Sequence, residues 1–373
     1  MYTKTNGQPS AQFRGQDYRL AFTDGDARID HTLSVNRTGR ATTWRKASVL
    51  EKLPMMRSVA KILDQCLALK AGEQFLVLTD SNNLDIGRLF ALAGHERGAE
   101  TIFMSISPRT RHGDELPTVV AEAMRAADVI VAPTTFSVNH TNARKAASDA
   151  GARLIFFPGC QEAMFTDGSL DIDFIKQAEV IMRMSRAFEE GRRMRVSTSD
   201  GRTDFSFSIE GRHAVPQTGI CHEPGTISPP PCIETAVSPL EHTTEGIALI
   251  DGAIVPGGEV LEPVAIRIEG GRIVDIDTSG KDGRYLDGLL KSYEDDNIYC
   301  HVELGVGLNP NAKIGRGIEL EDEGEFGTIH LGIGNGITFG STIRAKGHID
   351  LVIRHPVVEV DGKVVLKDRE VLA

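Results

Sequence analysis

Past Pro54 the apolar residues Val59, Ile62, Leu63, Cys66 and Leu67 recur at i, i+3, i+4, i+7 and i+8, the spacing that gathers side chains on one helical face. Short apolar runs follow, FLVLT at 75–79, TIFM at 101–104, VIVA at 129–132 and LIFF at 154–157, separated by helix-like stretches at 86–97 and 117–127. Strand-length runs alternating with helices predict parallel strands joined by crossovers, hence an α/β domain over 51–192. No G-x-G-x-x-G or G-x-x-x-x-G-K-[ST] loop follows the first strand, which argues against nucleotide binding. After Arg195 the pattern alternates with period two and is punctuated by glycine, at 203–209, 247–252, 264–268, 271–276 and 357–366, with one helical interlude at 285–293. The expected architecture is α/β: an N-terminal parallel sheet domain, then a C-terminal β-rich α+β domain over 193–373 that carries a metal site, the whole preceded by a polar, aperiodic extension at 1–50.

The reason for expecting metal is a set of polar side chains embedded in apolar strands. In GHIDLVI at 347–353, period two puts His348 and Asp350 on one face and Ile349, Leu351 and Ile353 on the other. Such a pair can ligate a metal, work as an acid/base couple, or simply bond to itself inside a core. Glu303 opens ELGVGLNPNA at 303–312, His330 lies in TIHLGIG at 328–334, and Glu234 lies in PCIETAV at 231–237. A surface Glu at a turn or a core His on a carbonyl would explain each one singly. Four such positions in apolar strands favour a shared site, because an unpaired buried carboxylate is costly. Carboxylates and imidazoles without thiolates suit hard or borderline divalent ions, and two neighbouring ions can share a bridging carboxylate and water. That is hydrolytic equipment, and no G-x-S-x-G offers a serine nucleophile instead.

Composition narrows the partners. The 373-residue chain carries a formal net charge of −11, which disfavours binding to nucleic-acid phosphates. No apolar run is long enough for a membrane span and no signal-peptide core opens the chain, so a cytoplasmic protein is expected. Five scattered cysteines, Cys66, Cys160, Cys221, Cys232 and Cys300, without C-x-x-C spacing, read as reduced, mostly buried thiols.

The segments ETAVSPLE at 234–241, TEG at 244–246, ELGVGLNP at 303–310, GTIHLGIG at 327–334 and HID at 348–350 resemble the thermophilic-type metallo-aminopeptidase family, which includes leucyl aminopeptidase and aminopeptidase T. The resemblance runs from about residue 55 to the end. It implies five ligands for two metal ions (Zn, Mn or Co), falling on Glu234, Glu303, His330, His348 and Asp350. It further implies a hydrolase whose metal-bound hydroxide attacks an amide-type or ring C–N bond of a small molecule or short peptide. The general acid/base stays unassigned, and a homodimer is expected. Thr235 and Ile337 stand where the aminopeptidases have a Glu and a Tyr, so peptide cleavage should be poor. The related 2,5-dihydroxypyridine dioxygenases hold one Fe(II) with two His and one Asp. Here His348 and Asp350, with His301 or His330, would imitate that set, although the first His of those enzymes falls on Glu303. A ring-cleaving Fe(II) dioxygenase is thus the alternative, and a non-catalytic binding homologue the third reading.

Lesser candidates surround these. His222, Glu241 and His242 read as solvated residues or contacts around the site, the acidic run at 319–325 as an exposed loop, and His355 before Pro356 as structural. Thr134, Thr135, Asn139 and His140 follow the run at 129–132, at the strand end where α/β sheets bind ligands, and could line the opposite wall of a cleft.

Overall fold

The computed structural model describes residues 54–373, together with the backbone of Leu33–Val35, Ala41–Thr43 and Val49–Leu53. The polar extension expected at 1–50 lies outside the described residues apart from one antiparallel strand pair, Leu33–Val35 with Ala41–Thr43. Residues 1–53 and 54–373 are separate compact units. The first helix is Val49–Lys61, so Pro54 lies inside it and not ahead of it, and a π-helical turn Ile62–Cys66 extends it. Its stripe of Met55, Val59, Ile62, Leu63, Cys66 and Leu67 is fully buried, as the spacing predicts.

Four strands, Gln74–Asp80, Glu100–Ile106, Val129–Pro133 and Arg153–Phe157, form a parallel sheet, and Ile227–Ser228 returns from later in the chain to pair beside the last of them. The first three strand-to-strand crossovers contain Leu84–Glu96, Thr118–Ala126 and Asn142–Asp149. In the three strands inside the sheet, successive residues go to opposite layers, which is why these strands read as unbroken apolar runs. Phe75, Val77, Val131, Ile155 and Phe157 join one core with Phe90, while Leu76, Leu78, Ile130, Leu154 and Phe156 join another with Val120 and Met124.

The remainder is antiparallel. An eight-stranded sheet runs from Arg272–Ile276 through Arg193–Ser197 to Glu370–Val371. A seven-stranded sheet has the order Gly258–Glu259, Ala253–Val255, His348–Ile353, Ile329–Gly334, His301–Gly307, Glu234–Val237, Ala214–Gln217. The helical interlude is Lys281–Ser292. The α/β class expected from the sequence is the one observed.

One expectation fails. The acidic run is no exposed loop but a helix, Glu319–Gly324, with Glu321 and Asp322 buried. The preceding loop turns its amides onto these carboxylates: Gly315 N donates to Asp322 at 2.9 Å, Ile314 N to Glu325 at 2.9 Å and Lys313 N to Glu321 at 3.3 Å. Backbone donors and Arg316 and Arg369 replace water around the charge. All five cysteines are free and buried, and no helix among the described residues is long and apolar enough to cross a membrane.

Candidate metal centre

Register assembles the site. Across the sheet Glu234 pairs with Gly307, Gly305 with His330, Glu303 with Gly332, Gly332 with Asp350, and Gly334 with His348. With side chains alternating along each strand, Glu234, Glu303, His330, His348 and Asp350 therefore share one face, interleaved with glycines. Leu304, Val306, Ile329, Leu331, Ile333, Ile349 and Leu351 fill the core behind. The glycines leave room for the polar groups: a Cβ on Gly305 would run into the His330 ring, and one on Gly332 would lie 2.8 Å from Glu303 Cβ and 3.0 Å from His348 Cε1.

Two three-residue groups result, Glu234–Glu303–His330 and Glu303–His348–Asp350, each with its donor atoms within 4.8 Å of one another and both containing Glu303. His330 Nε2 lies 3.2 Å from Glu234 Oε2 and 3.6 Å from Glu303 Oε1, and His348 Nε2 lies 3.1 Å from both Glu303 Oε2 and Asp350 Oδ1. His348 Nδ1 donates to the Asn335 carbonyl at 3.0 Å, which leaves Nε2 for the carboxylates.

The electrostatics are those of an anionic cluster in a dry place. Burial raises the Glu234 carboxyl to about 7, helped by Glu303 and Asp350 and opposed by His330. Burial alone would lower the His330 imidazole, but Glu234, Glu303 and Asp350 together lift it to about 10. His348 moves well upward against its burial, through Asp350 and Glu303, and Asp350 is lowered against its own burial by His348. Glu234 Oε2, Glu303 Oε1 and His330 Nδ1 are buried without hydrogen-bond partners. Orphaned oxygens facing each other and held near imidazoles are what a divalent cation would satisfy, so the donor set fits an ion.

His301 does not join this group. A register irregularity between His301 and Glu303 separates the two, and both ring nitrogens are occupied, Nδ1 by Thr244 Oγ1 and Nε2 by the Glu303 carbonyl, each at 2.8 Å. Its ring stands edge-on to Phe205 and Phe207, and burial holds its pKa down at about 4. Two residues that the sequence did not single out for the site do belong to its surroundings. Gln217 donates to Glu234 Oε1. Glu323, its carboxyl raised well above the usual range by burial and by Asp350, shares a hydrogen bond with Asp350. Its place in an acidic run concealed it.

From the parallel sheet, His140 comes near enough to His348 and His112 for their charges, after burial and Arg144, to lower its pKa. Thr135 N donates to Asp80 Oδ2 at 2.5 Å, and His112 Nδ1 accepts from Ser137 N at 3.1 Å with its ring edge-on to Phe136. His222 Nε2 bonds the Gln65 carbonyl and His242 bonds the Gly270 carbonyl, so neither enters the cluster.

Residues 54–373 match a family model described as NicX, 2,5-dihydroxypyridine 5,6-dioxygenase. The chain is 24% identical over 264 residues to the 2,5-dihydroxypyridine 5,6-dioxygenase of Pseudomonas putida KT2440, covering 67% of this chain and 73% of that protein. The solved structure of 2,5-dihydroxypyridine dioxygenase from P. putida KT2440 superposes with a TM-score of 0.72 at 20% identity, over 86% of this chain and 96% of that one. Wild-type AmpT from Thermus thermophilus superposes with a TM-score of 0.65 at 14% identity, over 86% of this chain and all of that one. At such identities the two structural likenesses show the fold. They support the aminopeptidase-like fold but not the hydrolase, and the family match overturns the hydrolytic reading. The physical reason is that carboxylates and imidazoles on one strand face announce a divalent ion without choosing between hydroxide and dioxygen chemistry.

Proposed function

The chain belongs to the 2,5-dihydroxypyridine 5,6-dioxygenase (NicX) family, and from that premise we propose that it is a non-haem Fe(II) enzyme opening a hydroxylated nitrogen-heteroaromatic ring with dioxygen. The family match across 54–373 carries this reading, and the clustered donors support it. Glu303 Oε2, His348 Nε2 and Asp350 Oδ1 would hold the iron. Iron there supplies the one-electron chemistry that lets dioxygen react with an electron-rich ring.

The chain's own residues do the rest. The Asn335 carbonyl fixes the His348 tautomer and ring orientation. Glu234 and His330, buried behind the shared Glu303, supply a second carboxylate and imidazole that tune its charge. His140, whose pKa its surroundings push below the ordinary histidine value, is suited to accept a proton from a ring hydroxyl oxygen.

The test is oxygen consumption by protein loaded anaerobically with Fe(II) and given 2,5-dihydroxypyridine. One dioxygen consumed per ring, with loss of the ring's absorbance, is expected. Iron bound at one per chain without oxygen uptake would remove the proposal.

A further inference from the structure

The loop at 335–347, between the strands bearing His330 and His348, brings an aromatic ring to the metal face. Its short turn Ile337–Phe339 sets the Phe339 ring against the His348 imidazole, centroids 5.6 Å apart and planes 30° apart. Phe339 is only half-buried and Ile337 is exposed, so one face of this turn is left for something else to cover.

A partly buried charge pair from elsewhere in the chain holds the loop. Glu241 Oε1 accepts from Ser341 Oγ at 3.1 Å, Thr342 N at 2.8 Å and Thr342 Oγ1 at 3.0 Å. Glu241 Oε2 pairs with Arg212 Nη2 at 2.5 Å, and Arg212 Nη1 donates to the Gly340 carbonyl. The two side chains are 19% and 13% exposed, so water screens the pair far less than it screens a surface ion pair. Burial would raise the Glu241 carboxyl, yet the bonds from Thr342 and Arg212 bring it down to about 2. On the other flank Asp295 accepts from Lys346 N at 2.8 Å and Asn297 donates to the Arg344 carbonyl at 2.9 Å. With both flanks tied, the turn bearing Phe339 is the part that projects.

We propose that Phe339 is a specificity-determining wall of the ring pocket and that the Arg212–Glu241 pair is the positioning device that holds it beside His348, an inference that rests on the dioxygenase reading. A planar ring bound next to His348 makes offset or edge contact with Phe339 only while the turn stays where the pair puts it.

The test uses the full-length, iron-loaded chain and two readouts: amide hydrogen exchange across 337–343, and the KM and kcat of oxygen uptake on 2,5-dihydroxypyridine. Glu241→Ala should speed exchange in the loop and raise KM by about tenfold, the cost of one lost bond to a charged group, with kcat and iron content within about twofold. Glu241→Gln, which keeps an acceptor for Thr342 but turns an amide N–H toward Arg212, should recover part of both effects and guards against a misfolded Ala variant. Phe339→Ala should reproduce the rise in KM without the faster exchange. Unchanged exchange in Glu241→Ala, or a fall in kcat at constant KM, overturns the proposal. Exchange is read without substrate, so it judges the Arg212–Glu241 anchor even if wild-type protein consumes no oxygen; that result would end the ring-pocket half together with the dioxygenase reading.

Discussion

His301 and His330 are both about 2% exposed, lie on neighbouring strands of one sheet, and experience the same loss of water. His301 meets a hydroxyl, a carbonyl and two phenyl rings, so desolvation acts unopposed and it stays neutral with a pKa of about 4. His330 meets Glu234 and Glu303, so desolvation is overcome and its pKa rises to about 10. One region is closed, with both nitrogens bonded; the other keeps Glu303 Oε1 and His330 Nδ1 unsatisfied. Burial of a histidine therefore says little by itself. What its nitrogens meet separates a structural histidine from a candidate ligand.

The sharpest way to break this contrast is Glu303→Ala, because both donor groups contain Glu303. Iron content by elemental analysis and oxygen uptake should each fall by at least about a hundredfold, more than loss of a supporting residue would cost. Retained iron would show that the unsatisfied oxygens are not ligands. The opposite result is expected of His301→Ala: iron within about twofold of wild type, but stability in urea lowered by roughly 3 kcal/mol for two lost hydrogen bonds and a ring-sized void. Iron loss in that variant would return His301 to the site.

Proton linkage sharpens the same comparison. The His301 pKa is lower folded than unfolded, so its contribution is present above about pH 6.5 and fades as pH falls toward about 4. The stability gap between wild type and His301→Ala should narrow by about 2–3 kcal/mol over that window. For the metal-free protein His330 has the reverse sign: its contribution is complete below about 6.5 and is lost as pH rises through about 10. The smallest effect is expected from Glu323→Gln. If Glu323 is held protonated and donates to Asp350, glutamine donates equally well and iron affinity changes by less than about threefold. A tenfold loss would make Glu323 a ligand.

Much of this site was legible before any coordinates. His348-x-Asp350, the polar residues inside apolar strands and the glycines two and four residues after Glu303 and His330 all follow from the period-two rule. The glycines make space for the His330 and Glu303 side chains across the strands. The acidic run at 319–325 looks exposed in the sequence because a charge run ordinarily means solvent, and only the folded loop at 313–316 reveals the amides that take water's place. The step from metal to hydrolysis failed for a different reason, since donor types constrain the ion more than the reaction.

The sequence by itself determined the α/β order of elements, the polar face of the strands that carry the candidate ligands and the kind of ion those donors suit, because periodicity and donor chemistry are local properties of the chain. Tertiary structure decided the rest. A register irregularity between residues 301 and 303 removed His301 from the face occupied by Glu303, strand pairing set Gly305 against His330, and Glu323 was brought to Asp350 from a separate element. Register, long-range approach and the replacement of water by buried amides arise only between segments, and a linear pattern does not encode which segments meet.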